Sequence, residues 1–287
     1  MKEQAFTFGA GDALVGIFCK PTNVLANSPV VLLTNAGVLP RQGPHRANVR
    51  IARALAELGI ASLRFDLAGH GDSLPIGNPA GLGAQATVDI KSAMDWAQRQ
   101  EGADTFLIFG ICSGGIFGFT VALADARVAG LFMFDGYGYR SRWTMPIRHF
   151  KRAASRSPGE FIAAIRRRLA PTGADVANGA GEQAEERLSD VNPLANPPLP
   201  EFVAAMQQLT NRGADVIIAY GGSILEWYSY ARQFTDVFGA YDFCTRVRNA
   251  YCPDVDHTLL TRHAQQRMVG MVCDWAQNWT RTAASRG

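Results

Sequence analysis

Covalent chemistry in this 287-residue chain has few places to start: five cysteines, five histidines and one glycine-rich turn. The turn lies in Phe106-Leu107-Ile108-Phe109-Gly110-Ile111-Cys112-Ser113-Gly114-Gly115, which reads as a buried strand running into a tight turn and then a helix. The middle residue of such a turn takes a strained backbone conformation with its side chain raised above the sheet. Glycines two positions before and after it remove Cβ atoms that would clash. This is the nucleophile-elbow pattern, G-x-S-x-G, with Cys112 at the tip in the frame Gly110-x-Cys112-x-Gly114. Ser113 is the rival nucleophile, but its frame places the β-branched Ile111 where a small residue is needed. A thiol beside an imidazole at a helix N-terminus ionises well below its free pKa of about 8.5. Its acyl intermediate is a thioester, which amines and thiols attack more readily than water. Acyl transfer is therefore favoured and hydrolysis stays open. The structural alternative is a buried cysteine beside an ordinary glycine turn.

The elements that must position this turn follow from periodicity. Ala5–Phe8 and Ala13–Cys19 alternate like a hairpin around Gly9-Ala10-Gly11-Asp12. Val30–Thr34 is a continuous apolar run of the kind found in a strand covered on both faces, and Ile60–Phe65, Thr105–Phe109 and Val128–Phe134 read as further strands. Between them, Asn48–Leu58, Ala86–Gln98 and Ile116–Ala124 carry helical spacing. The alternation predicts an α/β fold with a mostly parallel sheet and helices on both faces. It breaks after Arg140: residues 141–210 read as helical, basic and Gly/Ala/Pro-rich in the middle. It resumes at Ala214–Tyr220, Val247–Cys252 and a last helix over His263–Trp279. The expected organisation is a core in two parts, 1–140 and 211–287, around a helical insertion at 141–210.

A second motif, Asp66-x-x-Gly69-x-Gly71-x-Ser73, follows its strand directly, and with it the sequence resembles the α/β-hydrolase superfamily. Asn35-Ala36-Gly37, Arg41-Gln42-Gly43-Pro44, Arg64-Phe65-Asp66 and Asp135-Gly136-Tyr137 together look like its serine-aminopeptidase-type and exosortase-associated branch. Ala36 and Pro40 stand where histidines are expected there. The resemblance implies a catalytic triad in the order nucleophile, acid, histidine. Of His45, His70, His149, His257 and His263, only His257 follows a late strand, in an Asp256-His257-Thr258 loop like the family's. For the acid, Glu226, the nearest carboxylate after the strand ending at Tyr220, is preferred. Asp135, after the Val128–Phe134 strand, is the alternative acid. The oxyanion hole would combine the backbone N–H groups of Ser113 and Val38.

The activity implied is that of an acyl hydrolase or acyltransferase acting on an ester or thioester through an acyl-cysteine, with no metal or organic cofactor. Dienelactone hydrolases and polyester synthases illustrate the hydrolytic and transfer outcomes in cysteine-elbow members. The rivals are a serine esterase or peptidase using Ser113, and a non-catalytic small-molecule receptor or scaffold of the same fold. In the superfamily, an insertion after the sixth strand forms a lid. Here it carries Arg140, Arg142, Arg148, Lys151, Arg152, Arg156 and Arg166-Arg167-Arg168. Such a lid could hold the phosphates of CoA or an acidic acyl carrier protein; the other reading is a solvated helix face.

Composition narrows the classes further. Hydrophobic residues make up 47% and charged residues 18%, against disorder and against a coiled-coil rod. A net charge of +3 gives no footprint for nucleic acid. The cysteines are odd in number and scattered without a CxxC pair, so neither a zinc ribbon nor a disulfide framework is expected. No apolar run has signal-peptide or membrane-span length, which points to a cytoplasmic protein.

Overall fold

The computed structural model describes residues 1–76, 81–154 and 195–285. Its sheet has eight strands: β1 (Lys2–Phe8), β2 (Leu14–Lys20), β3 (Val30–Leu33), β4 (Ser62–Phe65), β5 (Phe106–Ile111), β6 (Val128–Phe134), β7 (Asp215–Gly221) and β8 (Arg248–Cys252). They lie in the order β1-β2-β4-β3-β5-β6-β7-β8. The hairpin β1–β2 pairs antiparallel and joins β4 antiparallel, and from β4 through β8 every neighbour is parallel. Every residue of β3, β4 and β5 is buried, as a strand covered on both faces requires.

Helices α1 (Ala47–Glu57), α2 (Leu82–Glu101), α3 (Ser113–Ala124), α4 (Thr144–Ala154), α5 (Leu199–Asn211), α6 (Gln233–Phe238) and α7 (Arg262–Ala284) complete the described elements. On one face α2, α3 and α5 pack Ile90, Met94, Phe119, Phe202 and Met206 onto Leu63, Ile108 and Leu131. On the other, α1 and α7 pack Ile51, Leu55, Met268, Val272 and Trp275 onto Val31, Phe109 and Phe132. Helix α3 is buried almost all round, which is why its sequence lacks a polar stripe. Helix α2 ends on Gly102 at φ 68°, and α7 opens with Thr261 Oγ1 accepting the Ala264 N–H at 3.1 Å.

The chain runs from β3 outward to β4 and then crosses back to β5, so the sheet order reverses between β3 and β5. In open α/β sheets, the crevice at the carboxyl ends of the strands beside such a reversal is where ligands bind. Helices α4 and α5 lie between β6 and β7, in the stretch read as an insertion. Arg156 and Arg166-Arg167-Arg168 fall outside the described residues. Among those described, no helix is long and apolar enough to cross a membrane.

Candidate active site

Strand β5 delivers Cys112 to the sheet's carboxyl edge at φ 54°, ψ −124°, a backbone conformation that side chains other than glycine rarely adopt. The tip is tied down on both sides. The Cys112 N–H donates to Phe134 O at 2.8 Å, and the Cys112 carbonyl accepts the Ile116 N–H at 3.1 Å. The glycines around it are forced by contact rather than by dihedral. A Cβ on Gly110 would sit 2.3 Å from the Gly114 carbonyl carbon, and one on Gly114 would sit 2.2 Å from Asn35 O.

Asp135 directly follows β6 and is also at positive φ, 50°. Its N–H donates to Ala219 O at 2.9 Å, and its fully buried carboxylate accepts two bonds. Oδ1 takes the Gly221 N–H at 2.6 Å, and Oδ2 meets His257 Nδ1 at 2.9 Å. Gly221 permits this, because a Cβ there would come within 3.0 Å of Oδ2. His257 lies in the loop between β8 and α7. Its backbone N–H is held by Ser223 Oγ at 2.8 Å, and about a third of its side chain faces solvent. The same imidazole interacts electrostatically with the Cys112 thiol.

The electrostatics follow this line of groups. Hydrogen bonding to Asp135, then to Cys112, pushes the His257 pKa from its ordinary 6.5 up to about 10. Hydrogen bonding to His257 in turn draws the Cys112 thiol below its ordinary value, against the desolvation that opposes it. The other four thiols, Cys19, Cys244, Cys252 and Cys273, are all raised, chiefly by burial. All five cysteines are free.

The structure therefore joins Cys112, His257 and Asp135, and leaves out the preferred acid. Glu226 is held by Arg140 at 2.8 Å and Arg148 at 3.6 Å, while Asp135 occupies the imidazole nitrogen that an acid would take. Asp256 caps its own loop, accepting from the Thr258 and Leu260 backbone N–H groups. Ser113 is 2% exposed, and its Oγ accepts the Gly37 N–H at 2.7 Å. Val38, the next residue, is 84% exposed, and its own N–H has no hydrogen-bond partner among the described residues. The remaining histidines sit elsewhere: His45 and His149 exposed, His70 at 3.1 Å from Ala68 O, and His263 paired with Asp254.

Sequence reasoning missed the supports: Gly221 for the carboxylate, Ser223 for the histidine loop and Asn35 for the loop after β3. Asn35 is fully buried, accepting the Leu67 N–H and donating to Leu39 O. Beside it, the Arg41 backbone and guanidinium both bind Asp66, and the guanidinium also reaches Asp72 at 2.7 Å. These bonds tie the loop after β3 to the loop after β4. The signal available was the glycine pair Gly221-Gly222 ending β7, which leaves room for a carboxylate arriving from β6.

No protein-family model matches the sequence, and no curated protein is significantly similar to it. Solved structures do match. XC6422 from Xanthomonas campestris, described as an α/β serine hydrolase without a lid, is 17% identical; the alignment covers 97% of this chain and 95% of that one, with TM-score 0.54. A proline iminopeptidase from Mycobacterium smegmatis is 15% identical over 98% of this chain and 100% of its own, with TM-score 0.58. An esterase from Pyrococcus furiosus is 12% identical over 97% and 91%, with TM-score 0.57. At such identities the likeness is one of architecture, and it agrees with the strand order and the elbow: the chain has the α/β-hydrolase fold.

Proposed function

We propose that the protein is a cysteine-dependent acyl hydrolase or acyltransferase that works on esters or thioesters through an acyl-cysteine. The observation that carries this reading is the His257–Asp135 hydrogen bond together with Cys112 at the strained tip of the elbow, its thiol drawn down by that histidine. The Cys112 thiolate attacks the acyl carbon, and the carbonyl π electrons move onto oxygen. The resulting oxyanion lies at the N-terminus of α3, where the Ser113 N–H and the Val38 N–H serve as donors. When the adduct collapses, the bond to the leaving group breaks, and that group departs with the proton carried by His257. Neutral His257 then deprotonates water or another acceptor, which attacks the thioester and restores the ion pair. Asp135 keeps Nδ1 protonated, so the other ring nitrogen faces sulfur.

One feature separates this from a serine reading: the Ser113 residue is buried and its hydroxyl is engaged by the Gly37 N–H. Among the described basic side chains of the insertion, Arg140 and Arg148 are committed to Glu226 and Lys151 to Ser229 O and Tyr251, while Arg142 is exposed over the Trp143 ring.

Competitive labelling tests the reading. Iodoacetamide at neutral pH is expected to modify Cys112 ahead of the other four cysteines, and Cys112→Ala is expected to abolish turnover of p-nitrophenyl acetate. Acylated protein should appear by intact mass after mixing with acyl thioesters. Fluorophosphonate labelling of Ser113 with turnover retained in Cys112→Ala would transfer the role to serine. An unlabelled, unacylated protein would indicate a binding function.

A further inference from the structure

Ser113 does two things in the fold, and only its backbone role belongs to the reading above. Its side chain reaches across from α3 to the loop after β3. There Oγ accepts the Gly37 N–H at 2.7 Å, from a residue that is 2% exposed. Gly37 and Val38 are the central residues of a turn closed by the Leu39 N–H donating to Ala36 O at 3.0 Å. Gly37 sits at φ 55°, and nothing lies within 4 Å of the place a Cβ would occupy. The turn tip is therefore not held by packing at Gly37. Its base is held by Asn35, through the bond to Leu39 O at 2.8 Å. Of the two central N–H groups, one is taken by Ser113; the other, at Val38, has no partner among the described residues.

We propose that the Ser113 hydroxyl is a positioning residue that fixes the oxyanion-binding turn relative to Cys112 by holding Gly37. The proposal rests on the cysteine reading above. One dipeptide then supplies the nucleophile, the first oxyanion donor and the tether of the second donor, so the distance between the donors is set through a single side chain. The approach is close enough to need such a tether: the N-terminus of α3 meets the same loop where a Cβ on Gly114 would strike Asn35 O and Thr34 Oγ1. Displacing a reacting group by about 1 Å costs on the order of 10²-fold in rate, and losing one oxyanion donor costs about 10² to 10³.

The test exploits two reactions of the same thiol. Alkylation by iodoacetamide forms a sulfur–carbon bond and expels iodide, with no oxyanion. Turnover of p-nitrophenyl acetate passes through one. Ser113→Ala is expected to lower kcat about 10- to 100-fold, with KM and the alkylation rate of Cys112 within about twofold of wild type. A kcat within about threefold of wild type overturns the tether. Turnover and alkylation falling together also overturn it, in favour of a general role in the elbow. Cys112→Ala, assayed alongside, separates this from the parent reading: turnover surviving there sinks the cysteine nucleophile. A dead Cys112→Ala beside an unimpaired Ser113→Ala sinks the tether alone.

Discussion

Asp135 and Glu226 both lie between Cys112 and His257, in the chain order that a triad requires, and only their surroundings tell them apart. Asp135 leaves β6 with φ 50°, buries its carboxylate and receives the Gly221 N–H. Glu226 keeps half its side chain in solvent and pairs with Arg140 and Arg148. Chain order was legible in the sequence; the direction in which each backbone carries its carboxylate was not, because it depends on how the ends of β6, β7 and β8 meet. The cysteine frame was legible for the opposite reason: Gly110 and Gly114 answer to contacts made within one strand–turn–helix unit and the loop facing it. Asp135→Asn is expected to lower kcat on the order of 10² or more with little change in KM, because the carboxylate stabilises the imidazolium that faces the reacting thiol. It should also move the pH midpoint of Cys112 alkylation upward, towards the free thiol's value. Glu226→Gln is expected to stay within a few-fold of wild type. Steady-state kinetics on both variants decide the matter: a dead Glu226→Gln beside an active Asp135→Asn would place the acid after β7.

The elements were the most readable level of the sequence. Strands β3, β5 and β6 are continuous apolar runs because both of their faces are covered, and that pattern survives without any knowledge of neighbours. The hairpin, the helices α1 to α3 and the final helix fall where periodicity and glycine stops put them, with ends displaced by a few residues. Less readable was what joins the elements at the site. The tie of Arg41 to Asp66 and Asp72 links two loops that neighbour each other only because β3 and β4 pair in parallel. The glycines of these turns make a graded prediction. In Gly110→Ala or Gly114→Ala the new methyl meets backbone at 2.3 or 2.2 Å, which nothing flexible can relieve. Each is expected to cost about 3 kcal/mol or more, or to prevent folding. In Gly37→Ala the methyl enters open space and only the left-handed backbone opposes it, so about 1–2 kcal/mol is expected. Equal melting temperatures for Gly37→Ala and Gly114→Ala would show that dihedral, not contact, sets the elbow.

At the scale of the whole molecule, the Cys112–His257 pair links stability to pH in a form that neither residue would give alone. His257, raised from 6.5 to about 10, stabilises the fold fully below pH 6.5, and that contribution is lost as pH rises through about 10. Cys112, lowered from 9.0, contributes stability that is fully present above pH 9.0 and is lost as pH falls through its folded value. The unfolded chain holds two protons on these groups below pH 6.5, one between pH 6.5 and 9.0, and none above. Stability from the pair should therefore be level just below pH 9.0, where Cys112 is ionised in the fold, and fall between 9.0 and about 10, where only the folded His257 still holds a proton. That fall reaches at most about 1.4 kcal/mol per pH unit, and less in practice, since a third of the His257 side chain is in solvent. The measurement is the melting temperature of the wild type minus that of a Cys112→Ala/His257→Gln variant, from pH 5.5 to 10. A fall that starts only near pH 9.0, with a level stretch just below it, is the signature of a thiolate–imidazolium pair. A decline that sets in at pH 6.5 and continues unbroken to 10 would mean that the folded protein keeps the Cys112 thiol protonated beside an imidazolium, and that the thiol is not lowered.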